Sequence, residues 1–274
     1  MNSKSIKVSV IDLYNNEENQ GIRCIKDILN ETDCLYNEIS VDYKLYDARF
    51  KNEMPGIDND IFISSGGPGS PFEGENSDWE AGYFKLMDDI WSHNQNNDRK
   101  KYVFFICHSF QIMARYFKFA DVITRHSESF GVMPVHKTDE GNSEKILNGL
   151  PEIFYGADFR KWQVVQPDKK VFDQLGAKVL CLEKIRPQVD LERAIMAVRI
   201  NDEFIGTQFH PEADAASMYY HFRQPERKDQ VIGKYGEKKY FDMLKLLEEE
   251  GGIKLTRKTV LPNFLADAIK KLTA

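Results

Sequence analysis

The sequence predicts an α/β fold: a mostly parallel sheet with helices on both faces, a small antiparallel portion, and helices towards the C-terminal end. Three observations carry that expectation. Short apolar runs alternate with amphipathic helical segments through the first half, the pattern of βαβ units. The texture then changes to short strands and turns, and two apolar stripes at helical spacing follow in the last third.

In chain order, Ile6 to Leu13 is a short apolar run that reads as a buried strand. Gln20 to Leu29 places Ile22, Ile25, Ile28 and Leu29 at helical spacing. Ser40 to Tyr46 alternates as a strand, and Ile61 to Ser65 is a second buried run. Trp79 to Trp91 carries Tyr83, Phe84, Met87, Ile90 and Trp91 on one helical face. Asn94 to Lys100 reads as a polar loop returning the chain to the strand Tyr102 to Ile106, and Phe110 to Phe117 as the helix after it. Phe130 to His136, Val164-Val165, Val179 to Leu182, Ala194 to Ile200 and Phe204 to Gln208 read as β, with Asn201-Asp202-Glu203 as a tight turn. Ala213 to Phe222 can supply a closing helix. Tyr240, Met243, Leu244 and Leu247 then mark one amphipathic helix, and Leu261, Phe264, Leu265, Ala268, Ile269 and Leu272 a second, separated by Glu250-Gly251-Gly252. The expected division is a main domain over 1–225 and a C-terminal helical extension over 226–274.

A chain of 274 residues with 42% apolar composition can bury a full core. Its net charge of -6, with lysines and arginines scattered among acids, gives no footprint for nucleic acid. No apolar run approaches the roughly 18 residues of a membrane span, and Met1-Asn2-Ser3-Lys4-Ser5 leads into a strand without a signal peptide's apolar stretch, so no membrane association and a cytoplasmic location are expected. Cys24, Cys34, Cys107 and Cys181 have no Cys-x-x-Cys spacing, so reduced thiols are expected. Cys24, Cys34 and Cys181 lie among apolar residues and read as small core hydrophobes.

Cys107 reads differently. The β-favouring run ends at this residue and a helix begins just after it, which sets the thiol on a sharp strand-to-helix turn. Far down the chain, Phe209-His210-Pro211-Glu212 offers an imidazole to take the thiol proton and a carboxylate to fix the imidazole's tautomer. Pro211 biases His210 towards extended backbone, so Glu212, two residues on, points to the same side. Upstream, Ile63-Ser64-Ser65-Gly66-Gly67-Pro68-Gly69-Ser70-Pro71 is a loop whose glycines permit close backbone approach to a reacting carbonyl, where an amide donor stabilises a tetrahedral intermediate.

These three segments, in this order, resemble those of the class I glutamine amidotransferases, the Cys-His-Glu family that includes the glutaminase domain of GMP synthase. The resemblance covers about residues 6 to 212 and implies a flavodoxin-like parallel sheet. It implies Cys107 as nucleophile, His210 as general base and then acid, and Glu212 as its orienter. It further implies oxyanion donors from the backbone of Gly67 and His108, and contacts of Gln111 and Gly69 with bound glutamine. Two positions depart from the family pattern of glycine two residues before and two after the nucleophile: Phe105 and Ser109 stand there. Ser109 is small enough for a crowded turn, whereas Phe105 must turn its ring elsewhere.

In the family a polar segment between elbow and histidine holds the amino-acid end of glutamine. The nearest counterpart is Ala157-Asp158-Phe159-Arg160-Lys161-Trp162, where an acid, a base and an aromatic could hold a zwitterion or could simply be surface-loop composition. The side chain of His108 reads as packing or surface hydrogen bonding rather than catalysis. His126 and His136 lack companions at metal-ligand spacing, and the glycine loop lacks the Gly-Lys-Ser/Thr ending of a nucleotide loop, so neither metal nor cofactor is expected. The expected activity is hydrolysis of the side-chain amide of glutamine to glutamate and ammonia. A stand-alone γ-glutamyl hydrolase and a catalytically silent binding domain are the alternatives. The expected partners are the small-molecule substrate and a synthetase subunit or a second copy of the chain, with the two C-terminal helices either packing on their own domain or forming that contact.

Overall fold

The computed structural model describes residues 4–36, 38–185 and 193–274. The chain opens with β1 (Lys4–Asp12), α1 (Gly21–Asp33), β2 (Ile39–Asp47) and the single turn α2 (Ala48–Lys51), followed by β3 (Ile61–Ser64) and α3 (Asp78–Asn96). Then come β4 (Tyr102–Ile106), α4 (His108–Phe117), β5 (Ala120–Lys137), the short α5 (Asp139–Asn142) and β6 (Ile153–Pro167). α6 (Lys169–Leu175), β7 (Lys178–Glu183), β8 (Ile195–Arg199) and β9 (Phe204–Thr207) follow. Four helices finish the fold: α7 (Ala215–Arg223), α8 (Pro225–Tyr235), α9 (Glu237–Glu248) and α10 (Leu255–Thr273).

The nine strands of the described residues form one sheet in the order β2-β1-β3-β4-β9-β8-β7-β5-β6. The pairs from β2 through β9 are parallel and those from β9 onward antiparallel. The expected α/β architecture is therefore present, with its antiparallel portion at one edge. Alternation along the strands divides the interior. Ile6, Val8, Ile61, Ile63, Phe104 and Ile106 face α1 and α10 on one side of the sheet. Ile11, Phe62, Val103 and Phe105 face α3 and α4 on the other. α3 starts on an N-cap at Ser77, whose hydroxyl accepts from the Glu80 amide.

Several expectations are corrected. The strand read at Phe130 to His136 is the second half of an 18-residue strand, and Val164-Val165 belongs to a 15-residue partner, β6. The polar segment at Ala157 to Trp162 is thus strand, not loop. Ser127, Glu128, Ser129, Gly131 and Pro134 mask β5, and its pairing with β6 is irregular between Thr124 and Ser129. Helix α3 runs on to Asn96, into the segment read as loop, because buried Asn94 bonds the backbone of Lys101 in both directions. Cys34 is exposed at the end of α1, while Cys24 and Cys181 are buried; none of the four is in a disulfide.

The C-terminal helices divide. α8, absent from the sequence reading, and α9 pack with α7 over the β5–β6 hairpin, where Tyr235 stacks on Phe130 at 4.5 Å and Met243 lies against Gly131. α10 instead joins the core beneath β1, β3 and β4, with Phe264 edge-on to Phe104 at 5.0 Å. α10 carries Pro262 in its interior and begins at Leu255, ahead of the stripe read from Leu261. No helix among the described residues is long and apolar enough to cross a membrane.

Candidate active site

The site forms at the C-terminal ends of β1, β3, β4 and β9, where successive strands run to opposite sides of the sheet and a crevice opens. Cys107 occupies the single step between β4 and α4 with φ 50° and ψ -95°, a left-handed backbone unusual for any residue but glycine. Its amide donates to Thr207 O at 2.8 Å and its carbonyl accepts from Gln111 at 3.1 Å, so β9 and the first turn of α4 hold it from both sides. Ser109 fastens the same turn: its hydroxyl accepts from the Ile106 amide and donates to Ser64 O, both at 2.8 Å. Phe105 points away from the crevice and is fully buried against α4, stacked with Phe204 at 6.2 Å. Its register partner is Gly206, where a Cβ would come within 2.8 Å of Phe110 and 3.1 Å of the Phe105 Cβ. The bulk of Phe105, two residues before Cys107, is matched by a glycine across the ladder.

His210 follows β9 and is fixed by a backbone bond from its amide to Ala157 O at 2.8 Å. Its Nδ1 donates to Glu212 Oε1 at 2.8 Å, which leaves Nε2 as the proton-accepting nitrogen. Burial works to lower the pKa of the imidazole, but Glu212 and Cys107 outweigh it and hold the value well above the ordinary one. Glu212 is 1% exposed and its second oxygen, Oε2, is buried without a hydrogen-bond partner among the described residues. The imidazole packs on Gly66, where a Cβ would sit 2.7 Å from His210 Cε1 and 3.2 Å from the Tyr14 hydroxyl. Burial, then the charges of Glu212 and Cys107, push the Tyr14 phenol well above its usual pKa. Gln208 Nε2 approaches Cys107 Sγ at 3.6 Å, and its Oε1 accepts from Gln111 at 3.1 Å.

The glycine loop is pinned by Arg49, whose guanidinium donates to Leu13 O at 3.0 Å and Pro68 O at 2.8 Å. Gly67 lies so close to Leu13 that a Cβ would stand 2.4 Å from its carbonyl oxygen, and Gly69 has φ +86°. Only glycine suits these two positions. Gly67, Gly69, Cys107, His108 and Gln111 line one cavity of about 360 Å³, completed by Glu128 and by Phe159 to Trp162. His210 and Glu212 line an adjoining one.

The expected zwitterion pair resolves otherwise. Asp158 is 1% exposed and does not line the cavity; it accepts from Arg160 at 2.9 Å and from the Ser129 hydroxyl at 2.6 Å, and so orients Arg160, which does line it. His108 is buried rather than at the surface, with a pKa lowered to about 3 by burial and then by Arg49 and Arg115. His126 and His136 lie outside the site, in β5. Sequence reasoning missed Tyr14, Arg49, Glu128 and Gln208. The signal for Tyr14 was its place just past β1, since residues following the central strands of such a sheet face the crevice.

The family model described as glutamine amidotransferase class-I matches residues 24–222. A search of curated proteins gives no match. Among solved structures, a glutamine amidotransferase from Thermotoga maritima aligns at TM-score 0.66 and 19% identity, covering 97% of this chain and 98% of that one. A glutamine amido transferase from Methylobacillus flagellatus aligns at TM-score 0.64 and 17% identity, over 98% and 95%. A putative GMP synthase component from Thermoplasma acidophilum aligns at TM-score 0.52 and 19% identity, over 76% and 85%. At such identities the structures speak to the fold alone, and the first two include the C-terminal helices in the likeness. The family match spans the elbow, the glycine loop and the His-Pro-Glu segment together, and on it the chain belongs to the class I glutamine amidotransferases.

Proposed function

We propose that the protein hydrolyses the side-chain amide of glutamine, the simplest γ-glutamyl amide, through a covalent thioester on Cys107. The observation that carries this reading is the constellation at the elbow: a thiol at the N-terminal end of a ten-residue helix, beside an imidazole whose Nδ1 is held by buried Glu212. His210 takes the thiol proton at Nε2, and Sγ attacks the amide carbon. The carbonyl oxygen becomes an oxyanion, for which the Gly67 and His108 amides are the donors. His210 then protonates the nitrogen, the carbon–nitrogen bond breaks, and ammonia leaves. Water, deprotonated by the same imidazole, cleaves the thioester to glutamate and restores the thiol. Gln111 and Gly69 line the acyl cavity, and Arg160 and Glu128 bring opposite charges to it, one suited to a carboxylate and the other to an ammonium group. Ammonia released here serves a separate synthetase chain.

The test is glutamate release by the purified protein and its variants. Cys107→Ala and His210→Ala should each lose nearly all turnover, and Glu212→Gln should keep a weaker residual, because it disturbs orientation and charge but not the proton acceptor. A glutamine-mimicking electrophile should label Cys107 ahead of Cys24, Cys34 and Cys181. The pKa of buried Cys24 is pushed up to about 11 and that of Cys181 higher still, mainly by burial, which makes both poor nucleophiles. Parent-like turnover in His210→Ala overturns the mechanism.

A further inference from the structure

Gln208 is fully buried just past the end of β9, two residues before His210, and the two-residue period of extended chain sends both side chains to the same side while Phe209 turns into the core. Its backbone amide donates to Met196 O at 2.8 Å, so the side chain starts from a fixed point and reaches Cys107. A buried carboxamide brings two donor hydrogens and an acceptor oxygen, and any of them left unmatched is costly. The thioester steps above give this group no part.

Which end of the carboxamide faces the thiol follows from the groups beyond it. Trp162 O, in β6, is a carbonyl oxygen and can only accept: Arg160 Nη1 donates to it at 3.1 Å and Gln111 Nε2 at 3.4 Å. Gln111, in the first turns of α4, is thereby held with its nitrogen inward. The same nitrogen meets Gln208 at 3.1 Å, where an oxygen must receive it. Gln208 is left with Oε1 towards Gln111 and an N–H towards Cys107 Sγ, at 3.6 Å. The run of bonds from Trp162 to the sulfur joins β6, α4 and the end of β9, and its two glutamines are buried, so bulk water does not compete for it.

We propose that Gln208 is a further catalytic residue, whose carboxamide N–H holds the negative charge on Cys107 Sγ while Gln111 and Trp162 O fix the direction of that N–H. Its place in the cycle rests on the thioester chemistry proposed above. Charge comes onto the sulfur twice. It appears first when the thiol proton passes to His210 Nε2. It appears again when a water oxygen bonds to the acyl carbon and the carbon–sulfur bond breaks, its electron pair going to sulfur; the proton that His210 took from that water then restores the thiol. A carboxamide suits both moments, because it is neutral and far too weak an acid to surrender its hydrogen, so it stabilises the thiolate without quenching it. No bond to Gln208 itself is made or broken.

The test reads the thiolate without substrate: the rate at which iodoacetamide alkylates Cys107 in the purified full chain, located by peptide mapping, from about pH 6 to about pH 10. Gln208→Met keeps the length of the side chain and removes the donor. It should slow alkylation about ten-fold near pH 7, the lower end for a hydrogen bond to a charged group, and match the parent near pH 10, where hydroxide forms the thiolate in both. That variant leaves the Gln111 donor unmatched, so Gln111→Leu combined with Gln208→Met, which removes both ends of the buried bond, decides if the single variant does not fold. Equal rates near pH 7 in the folded variants, or a loss of the same size at every pH, overturns the inference and leaves the hydrolytic mechanism standing. The pH-dependent loss in a protein whose parent form releases no glutamate from glutamine overturns the hydrolytic reading and leaves Gln208 as the donor to the thiolate.

Discussion

His108, the residue after Cys107, ties the strand-to-helix turn to acid stability. Its imidazole is 2% exposed with a pKa lowered to about 3, whereas in the unfolded chain it would titrate near 6.5. Between those values the unfolded state binds the extra proton, so this residue's contribution to stability is complete above pH 6.5 and is lost progressively as the pH falls towards 3. His108→Gln, which keeps the backbone amide and removes the titration, should show a shallower fall of melting temperature across that window than the parent protein. Parallel pH profiles would refute the assignment. The residues legible in the sequence were those whose chemistry is written in contiguous motifs: Cys107 on its strand-helix junction, His210 with Glu212, and the glycines at 66, 67 and 69. Tyr14, Arg49 and Gln208 were not legible, because each is ordinary in its local context and gains a role only when folding brings it against the glycine loop or the thiol.

At the scale of elements, the place of Phe105 two residues before Cys107 is explained by the pairing of β4 with β9. The bulk on one strand is matched by Gly206 on the other. Gly206→Ala forces a methyl to 2.8 Å from Phe110 and 3.2 Å from Met113, both in the buried face of α4. Overpacking of this kind costs about 1–3 kcal/mol, so the denaturant midpoint should fall accordingly with the slope unchanged. An unchanged midpoint would show that α4 gives way without strain. The parallel half was readable because buried strands there are short, uninterrupted apolar runs. The β5–β6 hairpin was not, since β5 carries Gly131 at φ +106° and Pro134, and is straightened by pairing and by Met243 rather than by propensity. α8 escaped notice because Val231 is its one buried residue, too little for an apolar stripe to show.

For the molecule as a whole, α10 decides how the parallel half is sealed. Its stripe of Leu261, Phe264, Leu265, Ala268, Ile269 and Leu272 is covered by the sheet and α1, so the apolar face that could have met a partner is occupied by the chain's own core. Phe264→Ala should therefore lower the unfolding free energy by about 3–5 kcal/mol in denaturant titration, and a loss below about 1 kcal/mol would mark the helix as peripheral. Pairing in the sheet changes from parallel to antiparallel at β9, and the four-residue pairing of β4 with β9 is the last parallel ladder before that change. The thiol stands at the end of one of these strands and the imidazole just past the end of the other. A slip of one residue along that ladder would turn Phe209 to the side where His210 now lies, and the proposed proton relay would be lost with every helix still in place. The proposed turnover would thus gauge the alignment of β4 with β9, and exchange of the Cys107 amide hydrogen, bonded across that ladder to Thr207, reads the same alignment without substrate.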